Sequence, residues 1–181
     1  MDVILDEVEE FVTGAKSAGG ADRFLATVLL TDIVDSTARL SELGDRQWRE
    51  VLDSHDALAR RQLERYGGRI VGTIGDGLVA TFDGPLRGIR CAIALRDALR
   101  RIGLTIRAGI HTGEIERRGD DVSGLGVHIA ARVQAMAQPN EVLVSRTVKD
   151  LVVGAALRFA DRGSHELKGV RDLWELYAVE G

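Results

Sequence analysis

Two carboxylates stand in apolar company. Asp32 closes the run "FLATVLLTDIV", and Asp76 sits in an Ile-Gly-Asp-Gly turn between the segments "RIVGTI" and "LVATF". Taken singly, each is an ordinary turn or capping residue, since Asp readily hydrogen-bonds nearby backbone. Taken together they read differently. If the first strand lies beside the hairpin, the two carboxylates converge, and a convergent pair makes a divalent-metal site. Mg²⁺ takes one or two protein carboxylates and completes its shell with water and substrate phosphates, so a small acidic pair suffices. Two further stretches carry chemistry. His128 and Arg132, at i and i+4 in "GVHIAARV", share one face of a helix. Lys168, in "ELKGV", is one of three lysines in an arginine-rich chain.

The elements that position these residues follow from hydrophobic periodicity. Ile4, Val8, Phe11 and Val12 recur at helical spacing with Asp6, Glu7, Glu9 and Glu10 elsewhere on the wheel, which predicts an amphipathic helix. "SAGGADR", Ser17 to Arg23, is a connector, so the chain divides into a leading helix and connector over 1–22 and a main domain over 23–181. Phe24 to Val34 reads as a buried strand, followed by Asp35-Ser36-Thr37, whose short polar side chains suit a helix N-cap. A short helix then runs to Gly44 and a longer one from Asp45 to about Tyr66. Arg69 to Ile74 and Leu78 to Phe82 are strands joined by the glycine-flanked Asp76 turn.

"GPLRGIRCAIALRDALRRIG" is a helix opened by proline and closed by glycine. Its Cys91 falls on the apolar side, so it reads as a core thiol; a single cysteine excludes an intramolecular disulfide and a multi-cysteine zinc site. "LTIRAGIHTGEIER" reads as two strands around His111-Thr112-Gly113, "SGLGVHIAARVQAMA" as a helix stopped by Pro139-Asn140, and "EVLVS" as a strand. The remainder is a short helix and strands. This order implies the α+β class, with a ferredoxin-like βαββαβ core whose mostly antiparallel sheet is covered by helices on one face.

Composition excludes several functions. The 181 residues are 45% hydrophobic and 29% charged, the profile of a globular domain rather than a linker or a repeat array. A net charge of −4 argues against a general binder of nucleic acid or anionic membrane. The apolar run Phe24 to Leu30 is far shorter than the roughly 20 residues of a membrane span, and no signal-peptide pattern opens the chain, which points to the cytoplasm.

"LLTDIVDST", "GTIGDGLVATF", "IRAGIHTGEI", "DVSGLGVHIAARV" and "HELKGV", in this order from about Arg23 to Val179, resemble the class III nucleotide cyclase catalytic domain. The few residues between "TGEI" and "DDVSG" are most similar to bacterial adenylate cyclases of actinobacterial type. The resemblance implies that Asp32, Asp76 and the main-chain carbonyl of Ile33 bind two Mg²⁺ or Mn²⁺ ions per site. It further implies that the backbone N–H groups of Val34 to Thr37 bind phosphate oxygens at a helix start. Arg132 matches the arginine that stabilises charge on the α-phosphate in the transition state. His128 stands where many members carry asparagine, and it retains a hydrogen-bond donor. Lys168 matches the triphosphate-binding lysine. The family builds each site from two subunits, with Asp32 and Asp76 from one and Asp121, His128, Arg132 and Lys168 from the other. A head-to-tail homodimer with two shared sites is therefore expected, acting on a nucleoside triphosphate.

One position departs from the pattern. Similar adenylate cyclases carry lysine four residues before the hairpin aspartate, where it reads adenine together with an aspartate matching Asp121; here the residue is Gly72. Strand alternation turns Arg69 to the opposite face, and Lys16 and Lys149 are remote, so no substitute is evident. Losing one buried polar contact costs about 1–3 kcal/mol, which weakens base selection without removing the chemistry. Three readings follow: an adenylate cyclase making 3′,5′-cyclic AMP, with ATP favoured because Asp121 accepts from the adenine amino group; a cyclase for GTP or a pyrimidine nucleotide; or a degenerate nucleotide-binding regulatory module. The convergent acidic pair argues against the third. A diguanylate cyclase is disfavoured because no Gly-Gly-Asp/Glu-Glu-Phe hairpin occurs.

Overall fold

The computed structural model describes residues 22–181. The predicted N-terminal amphipathic helix lies outside the described residues. The first strand, β1 (Asp22–Ile33), is buried on both faces: Ala26, Val28 and Leu30 enter one apolar cluster and Leu29 and Ile33 another. A strand of this kind belongs at the centre of a sheet. The sheet order is β2-β3-β1-β4-β6-β8-β7, with β5 paired to β4. The remaining strands are β2 (Arg69–Ile74), β3 (Gly77–Phe82), β4 (Ile106–Arg118), β5 (Asp121–Ser123), β6 (Val142–Ser145), β7 (Arg158–Glu166) and β8 (Leu173–Glu180). All pairings are antiparallel except β4 with β6.

Helices cover both faces, a correction to the single covered face expected from the sequence. α1 (Ser36–Tyr66), α2 (Pro85–Arg101) and α4 (Arg146–Leu151) bury Trp48, Leu63, Ile89, Leu95 and Val148 against the Leu29 side. α3 (Leu125–Met136) lies on the other side, where Ala130 meets Val28, Leu30 and Ile115. Its contact is close, because a Cβ on Gly109 of β4 would fall 2.2 Å from the backbone nitrogen of Gln134. Only glycine admits that approach. Within α1, Gly44 has φ 78°, which separates a short helix from a long one as the sequence predicts.

β4 is one strand, not the two expected around His111-Thr112-Gly113. Twelve residue pairs run unbroken from Asp22↔Arg117 to Ile33↔Ile106. The polar residues that resemble a turn are satisfied inside the sheet: the His111 Nδ1 and the Ser145 Oγ are 2.7 Å apart, and the hydroxyls of Thr112 and Thr27 are also 2.7 Å apart. Burial pushes the His111 pKa down to about 4. Cys91 is fully buried, and burial raises its thiol pKa to about 12, consistent with a core residue. Among the described residues no helix is long and apolar enough to cross a membrane.

Candidate active site

The register of β1 with β3 runs from Thr27↔Phe82 to Leu30↔Val79, and two further steps bring Asp32 level with Gly77. Asp76 precedes Gly77, so the hairpin delivers it to the end of β1. The residue after Asp76 must be glycine: a Cβ at position 77 would lie 1.9 Å from the Thr31 carbonyl oxygen. Asp32 and Asp76 come within hydrogen-bonding reach of one another. Burial, and then the Asp76 hydrogen bond and charge, push the Asp32 pKa above the usual carboxylate value, while Arg107 and the Ile33 N–H act in the opposite sense. Arg107 is the cross-strand partner of Asp32.

A half-buried pair of repelling carboxylates fits a divalent cation, whose charge relieves the repulsion. Among the described residues no group of three or more His, Cys, Asp and Glu side chains forms, so substrate oxygens and water must complete any coordination shell. The Val34 N–H donates to the Thr105 carbonyl over 2.8 Å. By the alternation of an antiparallel ladder, the Ile33 carbonyl then points away from β4, toward the side of the Asp76 hairpin.

The same bond removes Val34 from the expected phosphate-binding amides. Asp35 also departs from expectation: it takes a left-handed conformation, φ 56°, and makes no side-chain cap bond. Asp35 therefore gives the first-turn amides of α1, including Thr37, no side-chain acceptor.

A second group forms where α3 meets the turn between β7 and β8. The His128 Nε2–H donates to the Lys168 carbonyl over 2.9 Å. Arg132, one turn further along α3, has a buried Nε with no hydrogen-bond partner among the described residues. Such a nitrogen costs about 1–3 kcal/mol unless a ligand or second chain engages it. No hydrogen bond or ion pair among the described residues joins Asp32 or Asp76 to Asp121, His128, Arg132 or Lys168. Within one chain, then, the Asp32–Asp76 pair and the His128–Lys168 contact stand without a direct bond between them among the described residues.

Gly72 and Asp121 lie on adjacent elements, since β5 packs against β2. A Cβ at Gly72 would meet nothing within 4 Å, so neither packing nor φ requires glycine there. The neighbouring backbone holds a surprise. The β2–β3 register passes from Arg69↔Thr81 and Ile70↔Ala80 directly to Gly72↔Val79, making Val71 an extra, bulged residue. Thr81 and Val79 share one face of β3, so Arg69 and Gly72 share it too. This corrects the expectation that Arg69 faces away. A glycine inside a strand pattern is itself a bulge signal, and it was the clue available in the sequence.

Comparison with known proteins identifies the family and the fold. Residues 24–181 match the adenylate and guanylate cyclase catalytic domain family. The putative adenylate cyclase 3 of Rhizobium meliloti is 29% identical over 165 residues, covering 82% of this chain but 27% of that protein, so the chain spans about a quarter of that relative's length. The crystal structure of the adenylyl cyclase CyaB from P. aeruginosa superposes with a TM-score of 0.81 at 23% identity, over 90% of this chain and 96% of that one. The guanylyl cyclase Cya2 gives 0.80 at 23% identity, over 90% and 94%. With both sequence and fold in agreement, the chain belongs to the class III adenylate and guanylate cyclase catalytic domain family.

Proposed function

We propose that the chain converts ATP into 3′,5′-cyclic AMP and pyrophosphate at two sites shared by a head-to-tail homodimer. The observation that carries this reading is the convergence of Asp32 and Asp76, a half-buried acidic pair without a fixed protein counter-ligand set. Asp32, Asp76 and the Ile33 carbonyl would hold a pair of Mg²⁺ or Mn²⁺ ions, which would supply Lewis acidity at the ribose 3′-hydroxyl and charge neutralisation for the triphosphate, and the first-turn amides of α1 at Ser36 and Thr37 would receive phosphate oxygens.

From the second chain, Lys168 grips the triphosphate as a point charge. Arg132 directs its guanidinium at the α-phosphate, where charge builds as the 3′-oxygen bonds to phosphorus and the bond to the departing pyrophosphate breaks. Its unpartnered Nε supports that role. His128 orients the Lys168 turn through the Lys168 carbonyl and borders the ribose. Asp121 accepts from the adenine amino group.

Two copies would bring the two groups together, since no hydrogen bond or ion pair among the described residues joins them within one chain. Large apolar side chains border both: Ile74 beside the Asp76 turn is 57% exposed, Leu125 at the start of α3 is 60% exposed, and Leu173 after the Lys168 turn is 65% exposed. Exposed apolar residues clustered at functional groups mark a surface for association. The open space at Gly72 leaves a second reading, in which base preference is relaxed and GTP or a pyrimidine nucleotide also serves.

The test is to incubate purified protein with Mn²⁺ and, separately, ATP, GTP, CTP and UTP, and to identify products by mass. Cyclic AMP that disappears in the Asp32→Ala variant is expected. No cyclic product from folded, dimeric protein contradicts the reading.

A further inference from the structure

Resting on the proposed cyclase reading, we infer that Arg69 is the base-contacting cation of this site, reaching over Gly72 from one step further back on the same strand face. The bulge at Val71 makes this possible. Without it Arg69 and Gly72 would lie on opposite faces; with it their partners on β3 are Thr81 and Val79, two residues apart. Two strand residues span about 7 Å, within the reach of an extended arginine side chain. The space above Gly72 is open, since a Cβ there meets nothing within 4 Å.

The Arg69 guanidinium is also free to act. Among the described residues no hydrogen bond or ion pair engages it, although Asp120 and Asp83 line the same cleft of about 510 Å³. That cleft lies between β2 and the β4–β5 hairpin, with Phe24, Val71 and Val122 supplying apolar wall. Asp121 follows Asp120 on this hairpin, and β5, which carries Asp121, packs against β2, which carries Arg69.

A donor beside an acceptor complements the edge of adenine. Arg69 donates to the ring nitrogen N1, and Asp121 accepts from the N6 amino group. Each contact desolvates on the partner it needs, and loss of either leaves a buried polar atom unpaired. Gly72 is then the clearance through which a longer side chain, set further back, reaches the base.

The test uses the whole chain as a dimer with Mn²⁺ and compares ATP with 1-deaza-ATP, which lacks the N1 acceptor. Arg69→Ala is expected to raise KM for ATP about tenfold with kcat changed less than about twofold, and to bring the ATP to 1-deaza-ATP ratio of kcat/KM close to one. Arg69→Lys retains part of the preference, and Gly72→Lys in the R69A background restores ATP affinity. A merely structural role for Arg69 would not move the ratio between two substrates differing at one atom. An unchanged ratio in R69A overturns the inference. If wild-type protein cyclises no nucleotide, the cyclase reading fails by itself, and calorimetric binding of the same two nucleotides decides the role of Arg69: preference lost in R69A supports it, preference retained overturns it.

Discussion

His128 hands its Nε2–H to the main-chain carbonyl of Lys168, 2.9 Å away, tying α3 to the β7–β8 turn. The next residue, Gly169, sits against the same ring, where a Cβ would lie 3.1 Å from Nε2. A bond to the backbone, rather than to the ammonium group, fixes where Lys168 stands while leaving its charge available. On the proposed cyclase reading, in which Lys168 binds triphosphate, the imidazole is its positioning group.

Removing that tie should loosen Lys168 without deleting its charge. His128→Ala is expected to lower kcat/KM about twofold to tenfold, the worth of one neutral hydrogen bond, while His128→Asn keeps a donor and recovers most of it. Affinity for inorganic tripolyphosphate should follow the same order, which steady-state inhibition measures.

Two glycines in one hairpin should respond very unequally to alanine. Gly77→Ala drives a Cβ into the Thr31 carbonyl and should destabilise by about 2–4 kcal/mol while displacing Asp76. Gly72→Ala meets open space and should change stability by no more than about 1 kcal/mol. Urea unfolding of both variants checks the contrast.

On the proposed reading, the acidic pair trades stability for metal binding. Replacing one repelling carboxylate by Asp32→Asn should raise the melting temperature of metal-free protein, because burial and the Asp76 charge oppose ionisation of Asp32. Mn²⁺ should raise the melting temperature of wild-type protein, and the same variant should lose that rise. Thermal shift with and without Mn²⁺ measures both effects.

His111 should make the fold acid-sensitive. Burial holds its pKa at about 4, against 6.5 for an unperturbed imidazole, so between these values the unfolded chain binds a proton that the folded chain refuses. Stability is then fully present above about pH 6.5 and is lost as pH falls toward 4, by on the order of 3 kcal/mol from this group. Chemical denaturation at pH 7.5, 6 and 5 should show the decline, and His111→Asn should flatten it.

Much of the fold is legible in the sequence because burial leaves period and punctuation behind. The glycine-flanked Asp76 turn, the proline-to-glycine helix α2 and the break at Gly44 all stand where residue type predicts. The misreadings come from long-range partners that local pattern does not encode. His111 and Thr112 look like turn residues until Ser145 and Thr27 satisfy them across the sheet. α3 reads as one more covering helix, and its packing of Ala130 on Val28 and Leu30, with the close approach at Gly109, reveals that it lies on the far face. At the site, Asp32 and Asp76 announce themselves as charges in apolar runs. The orientation of Arg69 does not, since one bulged residue reverses every parity argument beyond it.

The central claim is that one chain carries two incomplete halves of a site that only a pair of chains completes. Mixing two inactive variants tests it directly: Asp32→Ala lacks the metal half and Arg132→Ala lacks the phosphate half, yet their heterodimer holds one site with neither lesion. Random pairing should restore about a quarter of wild-type cyclase activity, from half the dimers each with one intact site. Activity that stays absent in a mixture shown to contain the heterodimer would contradict the shared-site account.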